Sequence, residues 1–100
     1  MIESDARHVA MLRALGHPVR LGIVQRLAVE PETCACDFTA VFGVSQPTIS
    51  QHLKVLREAG LVTTRRHGTQ ICYSVAPAEF AELAGLLAGL GRAVLAPAAG

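Results

Sequence analysis

Residues 45–60 form an amphipathic helical pattern that constrains the fold of the whole chain, because another helix precedes it almost immediately. A shorter helical pattern covers residues 36–42, and only Gly43 and Val44 separate the two. Two helices joined by a short turn that contains glycine predict a helix-turn-helix. The second helix has one apolar face, on which three residues recur at i, i+4 and i+7: Ile49, Leu53 and Leu56.

The outward face of this second helix is made mostly of short hydrogen-bonding side chains, whereas ordinary exposed helix faces favour long Glu and Lys. Such side chains suit the major groove of DNA, which is about 12 Å wide and exposes the edges of the bases. His52 lies beside the apolar face, so packing or a phosphate contact is its expected role. A surface helix without a ligand is the alternative interpretation. We expect DNA contacts from Ser45, Gln46, Pro47, Thr48, Ser50, Gln51, His52 and Lys54.

The pattern changes from helix to strand after residue 60. Residues 61–66 and 70–75 are rich in β-branched residues, and a glycine-containing turn lies between them, so residues 61–75 predict a β-hairpin. A hairpin that follows a DNA-contacting helix is a wing. Its basic tip is expected to meet phosphates or a minor groove through Arg65, Arg66 and His67.

Positive charge is concentrated in the same part of the chain. The whole sequence has a net charge of only +1, but residues 45–75 carry four Lys and Arg against a single Glu. Phosphate binding requires a local basic surface of this kind. One alternative is a basic face that is merely solvated. Another is a winged helix that contacts only proteins, which would show no salt-dependent DNA binding.

Three further helical patterns complete the chain, at about residues 4–15, 18–28 and 77–96. The first has an apolar face that consists of Val9, Leu12 and Leu15. The last has an apolar seam with a period of about 3.5 residues, formed by Phe80, Leu83, Leu87, Leu90 and Val94. A terminal helix with this much apolar surface is hard to cover within one small chain. We therefore expect a homodimer through the first and last helices, with burial inside one copy as the alternative.

The whole pattern predicts a mainly α fold with a β-hairpin wing, that is, a winged helix-turn-helix. Residues 1–100 are expected to form a single domain of this type. Within it, the helix-turn-helix covers about residues 36–60, the wing residues 61–75 and the C-terminal dimerisation helix residues 77–96. With 51% hydrophobic residues, the chain has the composition of a folded domain rather than of a disordered one.

Cysteine usage and hydropathy indicate the compartment. Three cysteines, an odd number, without a secretory signal are typical of a reducing cytosol rather than of a disulfide scaffold. The longest apolar stretch, residues 83–91, is too short to cross a bilayer. A cytoplasmic protein without a membrane partner is therefore expected.

Cys34 and Cys36 are the candidate metal ligands that the sequence most strongly suggests. Thiolates favour thiophilic ions, and two thiols spaced by two residues at a helix start can approach one ion. A third ligand is missing from this segment. Cys72 is a weaker candidate because the wing strand is expected to lie at a distance from this segment. His8 of the first helix, from either subunit, is another weak candidate.

Two alternatives use the same thiols in other ways. The first is a redox switch that closes a disulfide between Cys34 and Cys36 or between two subunits. The second is a thiol-dependent enzyme or metal carrier. The sequence has no Ser/His/Asp arrangement, phosphate-binding loop or paired carboxylates, so we expect that the protein is not an enzyme.

Three segments resemble the ArsR/SmtB family of bacterial metal-responsive repressors. They are the run SQPTISQHLKVLREAGLV at residues 45–62, HPVRL at residues 17–21, and RHGTQ at residues 66–70 together with Tyr73. The resemblance covers about residues 6–95. It implies a dimeric repressor that binds an operator of double-stranded DNA with two-fold symmetry. It also implies that a bound metal or metalloid ion weakens DNA binding.

The segment CACD at residues 34–37 is similar to the Cys-x-Cys-Asp motif of arsenic- and cadmium-type members of that family. The resemblance implies that Cys34 and Cys36 bind an effector such as As(III) or Cd(II). This chain has Thr39 where arsenic-type members have a third cysteine, and it lacks the N-terminal cysteines of cadmium-type members. A nickel-type site with mixed His and Cys ligands, and Ni(II) as effector, is an alternative.

Overall fold

The computed structural model describes residues 3–97 and the side chains of residues 5–97. Within that range the predicted mainly α fold with a β-hairpin wing is confirmed, and each predicted helix or strand begins and ends within two residues of its expected bounds. In chain order, the elements are α1 (Glu3–Leu15), α2 (Pro18–Val29), β1 (Thr33–Cys34), α3 (Ala35–Phe42), α4 (Gln46–Glu58), β2 (Val62–His67), β3 (Gln70–Val75) and α5 (Pro77–Leu95).

The turn between α3 and α4 follows directly from its residues. Gly43 ends α3 in the left-handed conformation, with φ of 66°, which glycine adopts without steric cost. Ser45 then caps α4, because its hydroxyl oxygen accepts a hydrogen bond from the backbone N–H of Thr48 at 3.4 Å. Pro47 occupies the first turn, where its missing N–H has no partner to lose. These signals fix where α4 begins.

The wing belongs to a three-stranded antiparallel sheet with the strand order β1-β3-β2. The predicted hairpin β2–β3 is present, with Val62 opposite Val75 and His67 opposite Gln70. The short strand β1 is not among the predicted elements, because two residues are too few to show an alternating pattern. It pairs with the other edge of β3 and thereby makes β3 the central strand.

The core lies where α4 packs against α1, α2 and α3. The predicted apolar face of α4 is fully buried, as are Ile23 and Leu27 of α2. In α1, Met11 and Ala14 are buried in this core, whereas Val9 and Leu12 of the predicted apolar face are 37% and 42% exposed. The helix therefore has apolar residues on two faces, and the packing of α1 selects the one that includes Met11.

The seam of α5 is mostly uncovered in a single chain. Leu83 is buried, but the later seam residues Leu87, Leu90 and Val94 are between 51% and 80% exposed. Near its start, α5 is joined to α1 by Glu82, whose carboxylate contacts Arg7 at 2.6 Å and His8 at 3.1 Å. In residues 3–97, no helix is both long enough and apolar enough to cross a membrane.

Candidate nucleic-acid interface

The outward face of α4 is accessible as predicted from its periodicity. All but one of the eleven side chains expected to contact DNA are exposed; His52 is half-buried. The exposed residues of α4 and its cap are Ser45, Gln46, Pro47, Thr48, Ser50, Gln51 and Lys54, and those of the wing are Arg65, Arg66 and His67.

His52 lies at a junction between α4 and α2 rather than on the outward face. Its ring centroid is 4.4 Å from that of His17, and its Nδ1 is 3.3 Å from a guanidinium nitrogen of Arg20. Arg20 also donates to the backbone carbonyls of Ala14 and Arg13 at the end of α1. Burial lowers the pKa of His52, and the charges of His17 and Arg20 lower it further. Packing and a phosphate contact were the two roles expected for His52, and these contacts support packing.

The three basic residues of the wing differ in their partners. Arg65 and His67 lie 3.3 Å and 3.6 Å from the same carboxylate oxygen of Glu32, which precedes β1. Arg66 has no ion-pair partner among the described residues. The guanidinium of Arg66 is therefore available to a phosphate. Arg65 and His67 would have to release the Glu32 carboxylate before they could bind a phosphate.

The thiol groups are arranged differently from the sequence expectation. Cys34 and Cys72 are register partners in β1 and β3, and their sulfur atoms are 3.1 Å apart. The expectation that Cys72 lies at a distance is therefore wrong, because the unpredicted strand β1 brings Cys34 onto the edge of the wing sheet. The Cys34 thiol also donates to the Gln70 side-chain oxygen at 3.4 Å. The hydrogen bond with Cys72 raises the pKa of Cys34, and burial and Asp37 raise it further.

A cavity of about 380 Å³ lies between the recognition helix and the wing. Gln46 and Ser50 of α4 line one side, and Gln70 and Tyr73 of β3 line the other. Cys34 and Cys36 lie at the start of α3, where they also line it. A ligand or modification at these thiols would therefore be held between the two elements that are expected to contact DNA.

The donor set fits a thiophilic ion only in part. Cys34 and Cys72 offer two soft sulfur donors close together, and Cys36 is exposed on the same cavity. Residues 3–97 contain no cluster of three or more His, Cys, Asp or Glu side chains that could hold a metal ion. His8 is engaged with Glu82 of α5. Of the three thiols, only Cys34 and Cys72 are in contact, so an ion would find two sulfur donors in place, with Cys36 on the lining of the same cavity.

Sequence reasoning missed two residues that shape this surface. Glu32 neutralises part of the wing, and its left-handed backbone, with φ of 59°, is held by a hydrogen bond from its N–H to the Ser74 hydroxyl. Arg20 joins three helices at the His52 junction. Neither role has a local signal, because each depends on contacts between residues far apart in the chain.

Comparison with known proteins decides the family. Residues 17–64 match the sequence model of the family described as bacterial regulatory protein, arsR family. The biofilm growth-associated repressor of Xylella fastidiosa is 45% identical over 87 residues, which cover 86% of this chain and 75% of that protein. The chain belongs to the ArsR family.

Other ArsR-type proteins agree with this assignment. The arsenical resistance operon repressor of Escherichia coli K12 is 39% identical over 69 residues, which cover 69% of this chain and 59% of that repressor. A crystal structure described as a possible transcriptional regulator for arsenical resistance is 38% identical, with a TM-score of 0.73, and covers 80% of this chain and 82% of its own. The resemblance to ArsR/SmtB repressors is thus confirmed, and so is the expectation of a regulator rather than an enzyme.

Proposed function

We propose that this ArsR-family protein is a transcriptional repressor that binds a two-fold symmetric operator through α4 and the wing. The observation that carries the proposal is the exposed face of α4, whose Ser, Thr and Gln side chains suit base edges. The wing beside it supplies Arg66 without an ion-pair partner among the described residues. Phosphate contacts of the wing position the protein, and α4 distinguishes the sequence. With operator DNA as its partner, the protein works in the cytoplasm.

The two-fold operator requires a dimer, and we place its interface on α1 and α5. Val9 and Leu12 of α1 and Leu87 and Leu90 of α5 are all large apolar residues with more than a third of their surface exposed. Glu82 contacts both Arg7 and His8, which holds the two helices together in one chain. A second copy would cover this apolar surface and would set the spacing of two recognition helices.

Release from DNA is proposed to follow binding of a thiophilic metal or metalloid ion at Cys34 and Cys36, with Cys72 as the third sulfur. Cys34 and Cys36 line the cavity between α4 and the wing, and Cys72 lies behind Cys34. An ion held there would occupy space beside Gln46 and Ser50. As(III) and Cd(II) suit sulfur donors, and a mixed Ni(II) site that includes His8 is the less supported option, because His8 pairs with Glu82.

Selection from a randomised duplex library tests DNA binding first. The reduced protein should enrich sequences with two-fold symmetry, and failure to enrich any sequence would contradict the proposed function. As(III), Cd(II) and Ni(II) salts are then titrated separately against the selected complex under reducing conditions. We expect one thiophilic ion to release DNA from the wild type. If the variant Cys34→Ser/Cys36→Ser is released at the same ion concentration, the thiol site is wrong.

A redox-responsive repressor of the same fold is the second candidate, and a single contact favours it. The sulfur atoms of Cys34 and Cys72 are already 3.1 Å apart. Under this alternative, DNA affinity depends on oxidant and reductant in metal-free buffer. Under the first candidate, it depends on the ion while the thiols stay reduced. Measuring operator affinity in both buffers, with a chelator present, separates the two.

A further inference from the structure

We propose that Cys34 and Cys72 form a reversible intrachain disulfide that fixes Glu32 against the wing and so weakens DNA binding. The inference rests on the proposed function for its regulatory consequence. The disulfide itself rests only on the thiol geometry. It differs from the two pairings expected from the sequence, which were a Cys34–Cys36 disulfide and a disulfide between two subunits.

The sheet register brings the two thiols together. Cys34 and Cys72 are directly opposite in an antiparallel pair, where Cα atoms are about 4.5–5.5 Å apart. Disulfides occur at Cα separations of about 4.4–6.8 Å, so the backbone distance needs no rearrangement. The sulfur atoms are 3.1 Å apart and need approach by only about 1 Å to reach bonding distance. Closure is therefore compatible with the observed fold.

Access to the pair is asymmetric, which sets the order of events. Cys34 lines the cavity and is half-buried, whereas Cys72 is 6% exposed. A small-molecule disulfide reaches Cys34 first. The Cys34 thiol loses a proton to water, its sulfur attacks one sulfur atom of the small disulfide, that S–S bond breaks, and one small thiolate leaves and takes up a proton. Cys34 is then held as a mixed disulfide.

Cys72 completes the reaction from the buried side. Its sulfur loses a proton to water and attacks the Cys34 sulfur, and the second small thiolate departs and is protonated. The two protein thiols have lost two electrons and two protons, and the small-molecule disulfide has become two thiols. Cys36 is exposed and takes no part in this bond.

The disulfide would affect DNA binding through the charged residues on and beside the joined strands. In the sheet, β3 places Cys72 between Cys34 on one side and Arg65 on the other. Glu32 lies just before β1, and its carboxylate pairs with Arg65 and His67. A covalent bond from β1 to β3 keeps Glu32 beside these two cations, where it competes with DNA phosphates for them.

The Glu32 ion pairs are exposed to solvent, which limits how much oxidation can change the affinity for DNA. The side chains of Glu32 and Arg65 are 46% and 73% exposed, so each pair contributes modestly. We expect oxidation to weaken duplex DNA binding between about twofold and tenfold. Because the competition is for phosphates, the change should be present on random-sequence duplex DNA as well as on a selected operator.

The test uses the full chain with Cys36→Ser, a variant that keeps the proposed pair and removes every alternative partner within one chain. The protein is equilibrated in oxidised glutathione, free thiols are alkylated, and mass spectrometry counts them. We expect a monomer-mass chain with no alkylated thiol, reversed by dithiothreitol. Because the bond closes a loop of 38 residues, the thermal midpoint should rise by more than about 5 °C. Cys34→Ser/Cys36→Ser is the control that cannot close it.

Binding to random-sequence duplex DNA is then measured for the reduced and oxidised forms. In Cys36→Ser, we expect oxidation to lower the affinity for random-sequence duplex DNA. In Glu32→Gln/Cys36→Ser, which closes the same disulfide without the competing charge, oxidation should leave the affinity unchanged. The proposal is overturned if both thiols stay alkylated, if oxidation joins two chains, or if affinity does not change. If the reduced protein binds no DNA, the proposed function is contradicted. The regulatory role of the cysteine pair is then contradicted as well.

Discussion

The ring of His52 contacts the body of the protein rather than the outward surface of the recognition helix. It stacks at a tilt on His17 and lies beside Arg20, so that positively charged or protonatable groups face it from α2 and its cap. Burial and these neighbours lower the pKa of His52. Burial thus disfavours the charged form of this imidazole in the folded protein, and the ring packs α4 against α2.

This lowered pKa predicts a loss of stability in mild acid. The unfolded chain takes up a proton at His52 near the ordinary histidine pKa of about 6.5, whereas the folded chain resists protonation. The contribution of His52 to stability should be fully present well above a pH of about 6.5 and should be lost progressively as the pH falls through that value. Denaturation midpoints measured from about pH 8 to pH 5 check this. His52→Gln should flatten the decline, whereas the control His67→Gln, on the wing, should keep it.

Single-residue roles were predictable where they depend on local spacing. The exposure of Gln51 and the burial of Leu53 both follow from helical periodicity. The contact of Cys72 with Cys34 was not predictable in this way, because 38 residues separate them and only the pairing of β1 brings them together. The pairing of Glu32 with Arg65 was missed for the same reason.

The contact between α2 and α3 depends on one position without a side chain. A Cβ atom added at Gly22 would lie 2.5 Å from a ring carbon of Phe42, which is closer than such atoms approach in proteins. Phe42 ends α3, next to the turn that leads into the recognition helix. Gly22 thus allows the close approach of α2 to the Phe42 ring at the end of α3.

We therefore expect Gly22→Ala to destabilise the protein by about 1–3 kcal/mol, as overpacking does. Gly85→Ala is the matched control, because a Cβ there meets nothing within 4 Å and Gly85 lies in a helix. It should stabilise the fold by about 0.5–1 kcal/mol through helix propensity. Urea denaturation of both variants measures the difference. Equal effects in the same direction would contradict the packing role of Gly22.

Elements with a strong local pattern were predicted well, and those decided by tertiary contacts were not. The helix α4 combines a cap at Ser45, a proline in its first turn and a clear apolar face, so its position was fixed locally. The strand β1 has only two residues, too few to show an alternating pattern, and follows Pro31 and Glu32. For α1, periodicity found an apolar face, but the core selects the face that includes Met11.

Exposed apolar surface on α1 and α5 is the feature of the whole chain that most requires a partner. Leu87 and Leu90 are 51% and 56% exposed, although they continue the face on which Leu83 is buried. Burying such side chains contributes about 1.5–3 kcal/mol each. In the proposed dimer, a second copy buries this surface, and the two copies of α4 meet one operator.

Leu90→Glu should convert the dimer to monomer, because it buries a carboxylate in the proposed apolar interface. The fold should be retained, since this position is exposed in one chain. Ala88→Glu, at another exposed position of the same helix, is the control. Sedimentation analysis reports the oligomeric state of each. A Leu90→Glu variant that stays dimeric and binds the operator normally would show that the interface lies elsewhere.

The central claim is that the wing holds phosphates while α4 distinguishes base sequence, and the salt dependence of duplex binding tests it most directly. Affinities are measured over a range of salt concentrations for the wild type, Arg66→Ala and Gln51→Ala, on a selected operator and on random-sequence DNA. Arg66→Ala should weaken binding to both DNAs and reduce the salt slope by about 0.9 for each phosphate that the variant no longer neutralises. Gln51→Ala should reduce the preference for the operator and leave the slope unchanged. The account is contradicted if Arg66→Ala alters sequence preference while Gln51→Ala does not.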